Sequence, residues 1–231
     1  MVEAASQEDG KASSFQAYFQ QSRPEMLRFL PANPARLLDV GCGEGAFGKS
    51  VKDKFPNCEV WGAEISSAAA DIAATRLHTV KRGDFLETIF PKGYFDVITM
   101  NDSLEHMVDT HAALAKVRSL LKPGGALIVS FPNVRYYQNV RNLVFRNDWQ
   151  YQEYGILDRT HYRFFTSKSA AKTLSECGFK VEFVEGLPCP IRLHYRILFA
   201  AFPRFFYWMR FPQFAVRAIS PSEQSSTSNQ I

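Results

Sequence analysis

Short apolar runs alternate with helix-like segments through the first 131 residues of the chain. The runs that indicate strands span 35–40, 59–63, 78–81, 95–100 and 126–131, and the segments that indicate helices span 46–55, 66–76 and 110–121. Regular alternation of this kind is typical of βαβ units, whose strands lie parallel in one sheet. We therefore predict an α/β fold built around a mostly parallel sheet.

The alternation breaks after residue 131. The segment 132–166 is aromatic, basic and aperiodic, and 187–211 is a second irregular stretch that Pro203 divides into two short helices. A helix from Thr166 to Cys177 and two strands, 179–186 and 213–219, complete the pattern. We interpret 15–220 as one domain in which 132–166 and 187–211 are insertions forming a substrate region or lid. The polar ends, 1–14 and 221–231, are expected to be disordered.

A glycine-rich turn follows the first predicted strand. Gly41, Gly43 and Gly45 stand at alternate positions, where a Cβ would collide with a ligand lying against the backbone. The helix beyond offers free N–H groups to such a ligand. Residues 43–48 also match the dinucleotide pattern GxGxxG, and Glu64 follows at the spacing of a ribose-binding acid. A nicotinamide-dependent oxidoreductase is therefore one interpretation of the turn.

Four features favour a different ligand. Asp39 precedes Gly41 by two residues, and a carboxylate there repels a pyrophosphate but suits an ammonium group. After the third strand, Asp84 can accept a hydrogen bond from an adenine amino group while Phe85 packs on the ring. The sequence Phe95-Asp-Val-Ile then opens the fourth strand, and Leu121-Lys-Pro-Gly-Gly leads into the fifth.

In these residues, from about 35 to 131, the chain resembles a class I S-adenosylmethionine-dependent methyltransferase. The resemblance implies a Rossmann-like fold, with a seven-stranded, mostly parallel sheet, an antiparallel last strand and flanking helices, and S-adenosyl-L-methionine as the cofactor. It also implies a role for nine residues: Asp39, Gly41, Gly43 and Gly45 at the methionine end, Glu64 at the ribose, Ile65, Asp84 and Phe85 at the adenine, and Asn101 in the pocket wall. Asp84 as a helix cap and Phe85 as a core residue remain alternatives.

Two histidines are candidate bases for a hydroxyl acceptor. His106 ends Asn101-Asp-Ser-Leu-Glu-His, which resembles a stretch of ubiquinone-type O-methyltransferases, some of which bind a divalent metal. A metal site formed by Asp102, Glu105 and His106 is an alternative, and we assign no metal. His161 is the second candidate base, with packing beside the cofactor as the alternative role for His106.

The loop that contains His161 bears on the acceptor. Leu157–Thr166 mixes aromatic side chains with Asp, Arg and His, which suits the apolar faces and polar rim of a sugar, and it resembles a segment of methyltransferases from surface-polysaccharide clusters. The leading hypothesis is O-methylation of a sugar hydroxyl in glycan or lipid-linked saccharide biosynthesis. The alternatives are a small-molecule methyltransferase, a methionine-biosynthesis accessory protein that shares residues 132–136, the oxidoreductase, and a binding protein with a vestigial pocket.

Composition limits the partners. The chain has 231 residues with a net charge of +4 and no strong basic stripe, so we expect no nucleic-acid partner. Four widely spaced cysteines favour a reducing, cytoplasmic setting. Residues 191–211 alternate arginines with large apolar side chains, and we favour a lid or homodimer element over a peripheral membrane contact. An N-terminal helix carrying Tyr18 and Arg23 is expected to close over the cofactor.

Overall fold

The structure, a computed structural model, describes residues 22–190, 195, 199–200 and 202–221. Its centre is a seven-stranded sheet in the order β3-β2-β1-β4-β5-β7-β6. The strands are β1 (Arg36–Val40), β2 (Glu59–Glu64), β3 (Thr79–Arg82), β4 (Phe95–Asn101), β5 (Leu121–Pro132), β6 (Lys180–Leu187) and β7 (Gln213–Ile219). β7 runs antiparallel to the other six strands, which are parallel to one another, and this arrangement confirms the predicted fold class. The predicted disordered ends, apart from Pro221, and Tyr18 lie outside the described residues.

Helices flank the sheet. They are α1 (Ala46–Lys54), α2 (Ser67–Ala74), α3 (Thr110–Leu120), α4 (Tyr137–Arg146), α5 (Ser167–Glu176) and the short α6 (Pro203–Phe206), with 3-10 turns at Pro24–Phe29, Leu104–His106 and Tyr207–Arg210. The Ser66 hydroxyl accepts a hydrogen bond from the Ala69 N–H at the start of α2, as an N-cap residue does. Thr166 and Ser169 form a reciprocal capping box at the start of α5.

Apolar side chains from the central strands fill both faces of the sheet. Leu37 and Leu38 are both fully buried, yet they belong to clusters on opposite faces because successive strand residues point in opposite directions. Ile98 and Leu127 extend the cluster of Leu38, on the face that α3 and α5 cover. Burial on both faces is the physical reason that these strands are continuous apolar runs in the sequence.

Two predicted boundaries were wrong. The segment 132–166, predicted to be irregular, contains α4, in which three consecutive exposed apolar residues at the C-terminal turn, 143–145, obscure an otherwise amphipathic helical pattern. Strand β5 begins at Leu121 instead of residue 126, because Leu121 pairs with Phe95 before a register shift. Gly124 has a φ of 77° in this irregular start.

The sheet brings four segments to one edge. Strands β1, β4, β5 and β6 all end at this carboxyl edge, and the antiparallel β7 begins there. The glycine turn, the residues after β4, α4 and residues 202–212 therefore share that edge, where open α/β sheets bind ligands. Within the part of the chain that the structure describes, no helix has the length and apolarity that crossing a bilayer requires.

Candidate active site

A cavity of about 620 Å³ opens at the carboxyl edge of the sheet. Among the residues that line it are Asp39, Gly41, Gly43, Glu64, Ile65, Asp84, Phe85, Asn101 and His106, all of which the sequence singled out. Gly45 and His161, also singled out, are not among its lining residues. Residues from four separate strand ends thus meet around one space.

The glycine turn takes a backbone conformation that side chains disfavour. Gly41, Gly43 and Gly45 have φ angles of 74°, 53° and 77°, in the left-handed region. A Cβ on Gly41 would lie 2.8 Å from the Cβ of Ser103, so glycine allows the turn to approach the segment after β4. A Cβ on Gly45 would instead lie 3.2 Å from the backbone of Ala73. Gly45 therefore serves the packing of the turn on α2, not the cavity.

Two buried carboxyl groups stand beside the turn. Asp39 accepts a 2.7 Å hydrogen bond from the Thr99 hydroxyl, and no cationic side chain of the described residues pairs with it. Burial raises the pKa of Asp39 to about 7, and the charge of Glu64 adds to the rise. Each oxygen of Glu64 accepts one backbone N–H, from Gly43 at 2.8 Å and from Ser66 at 2.9 Å. The site therefore favours a cationic ligand over a pyrophosphate.

The predicted adenine side combines one exposed and one packed apolar group. Ile65 lines the cavity with 71% of its surface exposed, whereas Phe85 is buried against Phe90 at a ring-centroid distance of 5.7 Å. Phe85 is thus also a core residue, as the alternative interpretation held. Asp84 Oδ1 accepts a 2.7 Å hydrogen bond from the Leu86 N–H in a turn, so it caps a turn and not a helix.

The segment after β4 carries polar atoms without partners. Five buried polar atoms of residues 101–105 form no hydrogen bond within the described structure: Nδ2 and Oδ1 of Asn101, the Ser103 hydroxyl and both carboxyl oxygens of Glu105. Asn101 and Ser103 line the cavity. Because buried polar groups are nearly always satisfied, the atoms of Asn101 and Ser103 indicate that a ligand or ordered water in the cavity supplies their partners.

Arg23 closes the cavity from the N-terminal side. Its side chain is 8% exposed, and its guanidinium forms an ion pair with Asp102 and donates a 3.2 Å hydrogen bond to the Ser130 hydroxyl. Gln213 Nε2 also donates to Asp102, at 3.0 Å. Asp102, an alternative metal ligand in the sequence, is therefore held by Arg23 and the ends of β5 and β7. The sequence indicated Arg23 at the cofactor but not this network, which joins residues 79 and more positions apart.

Two histidine rings meet beside the cavity. His106 and His161 contact edge to face with ring centroids 4.6 Å apart, and His106 belongs to the cavity wall. Burial lowers the pKa of both imidazoles, and the charge of His161 lowers that of His106 further. Both rings are therefore neutral near pH 7, the form that accepts a proton.

Hydrogen bonds fix which nitrogen of each ring is free. The Thr160 hydroxyl donates its proton to Asp158 Oδ1 at 2.7 Å, so it accepts from His106 Nδ1, 3.1 Å away. His161 Nδ1 lies 3.2 Å from the carbonyl oxygen of Ile156, which can only accept. In both neutral rings Nδ1 then carries the hydrogen, and Nε2 keeps its lone pair.

The same corner has the donor set of a metal site. One ligand atom each from Glu105, His106 and His161 lies within 4.8 Å of the other two. Burial raises the pKa of Glu105 well above its usual range, and the charge of Asp102 raises it further. This trio differs from the one that the sequence put forward, because His161 takes the place of Asp102.

Comparisons with known proteins bear on this arrangement. The sequence model of the family described as "Methyltransferase domain" matches residues 15–183. A ubiquinone biosynthesis O-methyltransferase of Bradyrhizobium sp. (strain ORS 278) is 31% identical over 105 residues, 42% of this chain but 40% of that protein's length. A demethylmenaquinone methyltransferase of Thermotoga maritima is 26% identical over 67% of this chain and 74% of its own.

A solved structure shows the same fold. The SAM-dependent methyltransferase of Archaeoglobus fulgidus superposes with a TM-score of 0.63 at 18% identity, covering 90% of this chain and 93% of that one. The family match covers well over half of the sequence, and the strand order and the cavity agree with the predicted fold. The chain therefore belongs to the methyltransferase-domain family, within the class I S-adenosylmethionine-dependent methyltransferases.

Proposed function

We propose that the protein transfers the methyl group of S-adenosylmethionine to a hydroxyl oxygen of a small acceptor, with His106 as the base. The observation that carries this proposal is the position of His106 in the cavity wall, its Nδ1 held by Thr160 and its Nε2 free. A hydroxyl acceptor needs a base of this kind, since it must lose its proton as the new C–O bond forms.

The residues around the cavity fit the cofactor. Asp39 offers a buried carboxylate to the ammonium group of its methionine portion, and Glu64 keeps lone pairs for the ribose hydroxyls. Asn101 has an unsatisfied amide to pair with it, and Ile65 offers an exposed apolar face to the adenine. The cofactor supplies an electrophilic methyl group on a good leaving group. The protein has to position the acceptor and exclude water.

His106 and His161 take different roles in this proposal. His106 accepts the acceptor's proton at Nε2 as the oxygen bonds to the methyl carbon. His161 is a positioning residue whose ring packs on His106. A positive charge on His161 would oppose protonation of His106. Asp158 and Thr160 hold the tautomer, because the hydroxyl proton of Thr160 is committed to Asp158.

Two acceptor classes remain, each with its own support. The sugar hydroxyl that the sequence predicts is supported by Tyr162, which lines the cavity from the aromatic and polar loop before Thr166. A phenolic ring hydroxyl is supported by the ubiquinone biosynthesis O-methyltransferase relative and by Met107 and Val108 in the cavity wall, and the demethylmenaquinone relative supports a quinone-type ring without indicating a hydroxyl. Because both of these relatives are named for quinones, we rank the phenolic acceptor first.

Methyl transfer from labelled cofactor to catechols, hydroquinones and nucleotide sugars tests the proposal. We expect His106→Gln to lower kcat by a hundredfold or more, within the usual range for general-base catalysis, with cofactor affinity unchanged. The matched control is His111→Gln, an exposed histidine in α3, which should retain wild-type kcat. An unimpaired His106→Gln enzyme would contradict the assignment.

A chelation experiment separates the base from a metal site. With His106 as a simple base, activity should persist in EDTA after gel filtration. Loss of activity in EDTA and its recovery with Mg²⁺ or Zn²⁺ would instead assign Glu105, His106 and His161 to a cation that activates the acceptor hydroxyl.

A further inference from the structure

One surface at the carboxyl edge of the sheet combines exposed apolar side chains with arginines. It consists of α4 and residues 202–211, which we call the basic cap. Phe145, Phe205 and Phe202 are 81%, 64% and 63% exposed, and Leu143, Val144 and Tyr207 add to them. Large exposed apolar side chains in this number mark an interaction surface more often than a bare solvent face.

The two parts of the cap form one packed unit. The Phe199 ring joins them, since it packs on Tyr137 of α4 at a centroid distance of 5.7 Å and on Phe206 at 5.4 Å. The Asn133 amide, buried before α4, donates to the carbonyl oxygens of Trp208 at 2.7 Å and Phe211 at 2.8 Å. The exposed apolar groups are therefore presented by a fixed scaffold, and their exposure is not a consequence of a loose loop.

The exposed apolar groups of α4 lie at its C-terminal turn. Three consecutive residues, 143–145, are exposed, and consecutive helix residues are about 100° apart around the axis. The turn is consequently free over most of its circumference, as expected for an element that inserts into a soft phase rather than one that covers a pocket. This geometry disfavours a lid as the role of the C-terminal turn of α4, within the segment 132–166 that was expected to form a substrate region or lid.

The charge of the basic cap indicates which kind of partner it binds. The cap contains four arginines and no acidic residue, whereas the rest of the chain carries 23 basic and 23 acidic side chains and so has no net charge. Arg146, Arg204 and Arg210 are exposed, and no acidic side chain of the described residues pairs with them. We infer that the basic cap docks the protein on an anionic lipid surface. A second copy of the chain would bring like charges together at the same surface.

The position of the cap determines which edge of the sheet would face the lipid. The cap lies at the carboxyl edge of the sheet beside β5, β6 and β7. The cavity opens at the same edge beside β1 and β4. Docking through the cap therefore brings that edge of the sheet toward the lipid. This inference does not depend on methyl transfer, because it concerns residues outside the cavity wall.

Vesicle co-sedimentation of the full chain tests the inference. We expect binding to phosphatidylglycerol–phosphatidylcholine vesicles, weakened by raising NaCl from 50 to 300 mM, and at least tenfold less binding to pure phosphatidylcholine. The double variant Arg146→Gln/Arg204→Gln should bind about twentyfold more weakly, since each arginine near such a surface adds about a fivefold factor. Phe145→Ser/Phe205→Ser should lose about tenfold or more.

Matched controls lie elsewhere on the surface. Ile89 is 87% exposed and Lys168 is an exposed cation of α5, so Ile89→Ser and Lys168→Gln should bind within twofold of wild type. Equal binding by wild type and cap variants, or no binding to anionic vesicles, would overturn the inference. Self-association or single-stranded RNA binding that these variants abolish, without vesicle binding, would assign the cap to those partners and also overturn it.

Discussion

At the scale of single residues, the site depends on carboxyl and imidazole groups whose protonation the fold controls. Asp39 is fully enclosed and has one hydroxyl partner, whereas His106 keeps a free nitrogen because its neighbours commit the other. Burial therefore raises the pKa of the Asp39 carboxyl to about 7 and lowers the pKa of the His106 ring. A bound ammonium group would favour the ionised form of Asp39.

Asp39 should make the stability of the free protein depend on pH. Its pKa in the fold, about 7, exceeds the value of 3.8 for an ordinary Asp side chain, so the folded state holds the proton more tightly. The free energy of unfolding of wild type should fall, relative to Asp39→Asn, by up to about 4 kcal/mol between pH 4 and pH 7. Urea denaturation at pH 4.5 and 7.5 measures this difference, with the exposed Asp53→Asn as control. If the unfolding free energies of wild type and Asp39→Asn differed by the same amount at both pH values, the raised pKa of Asp39 would be contradicted.

Thr160 should matter to catalysis without touching the cofactor. Thr160→Val keeps the shape of the side chain but removes the acceptor for His106 Nδ1, so the ring loses its preferred tautomer. We expect kcat to fall about tenfold to a hundredfold while cofactor affinity stays within twofold. Thr160→Ser should restore kcat, and the acidic limb of the wild-type pH–rate profile should lie below pH 6.5 because the pKa of His106 is lowered. A Ser variant as slow as Val would indicate a packing role.

At the scale of elements, the glycine turn shows how one backbone conformation can serve two purposes. Gly41 and Gly45 share the left-handed region, but the first leaves room for Ser103 and the second for Ala73. The sequence pattern treats them as equivalent, because alternate glycines carry no information about what each one faces. Only the packing of α2 and of the segment after β4 in the structure distinguishes a glycine at the cavity from a glycine that serves packing.

Substitution of Gly41 should therefore impair binding more than stability. Gly41→Ala adds a Cβ 2.8 Å from Ser103 in a strained backbone, and we expect cofactor affinity to fall at least tenfold. Gly93 is the matched control, since its φ is 57° and an added Cβ meets nothing within 4 Å. Both variants should lose about 1 kcal/mol of unfolding free energy, but Gly93→Ala should bind the cofactor normally. Calorimetry and urea denaturation check the two expectations, and equal affinities would contradict this role of the turn.

At the scale of the whole molecule, the sequence predicted what local patterns encode. Apolar patterns and caps located every strand to within a few residues, except the start of β5, because the central strands, buried on both faces, leave unbroken apolar runs and the half-exposed β6 leaves an alternating one. The sequence missed α4, whose C-terminal turn exposes three consecutive apolar residues, and the Arg23–Asp102 pair, which depends on contacts between distant parts of the chain. The sequence also could not show that Gly45 and His161 lie outside the cavity lining to which the other predicted site residues belong. Those relations arise only when the strand ends converge.

The measurement that tests the central claim most directly is calorimetric titration of the purified protein with S-adenosylmethionine and S-adenosylhomocysteine, with NAD⁺ and NADH as controls. We predict that both sulfur nucleotides bind at one site, that Asp39→Ala abolishes or strongly weakens this binding, and that neither nicotinamide nucleotide binds. Binding of NAD⁺ or NADH in place of the sulfur nucleotides, or equal affinity in the Asp39→Ala variant, would contradict the claim.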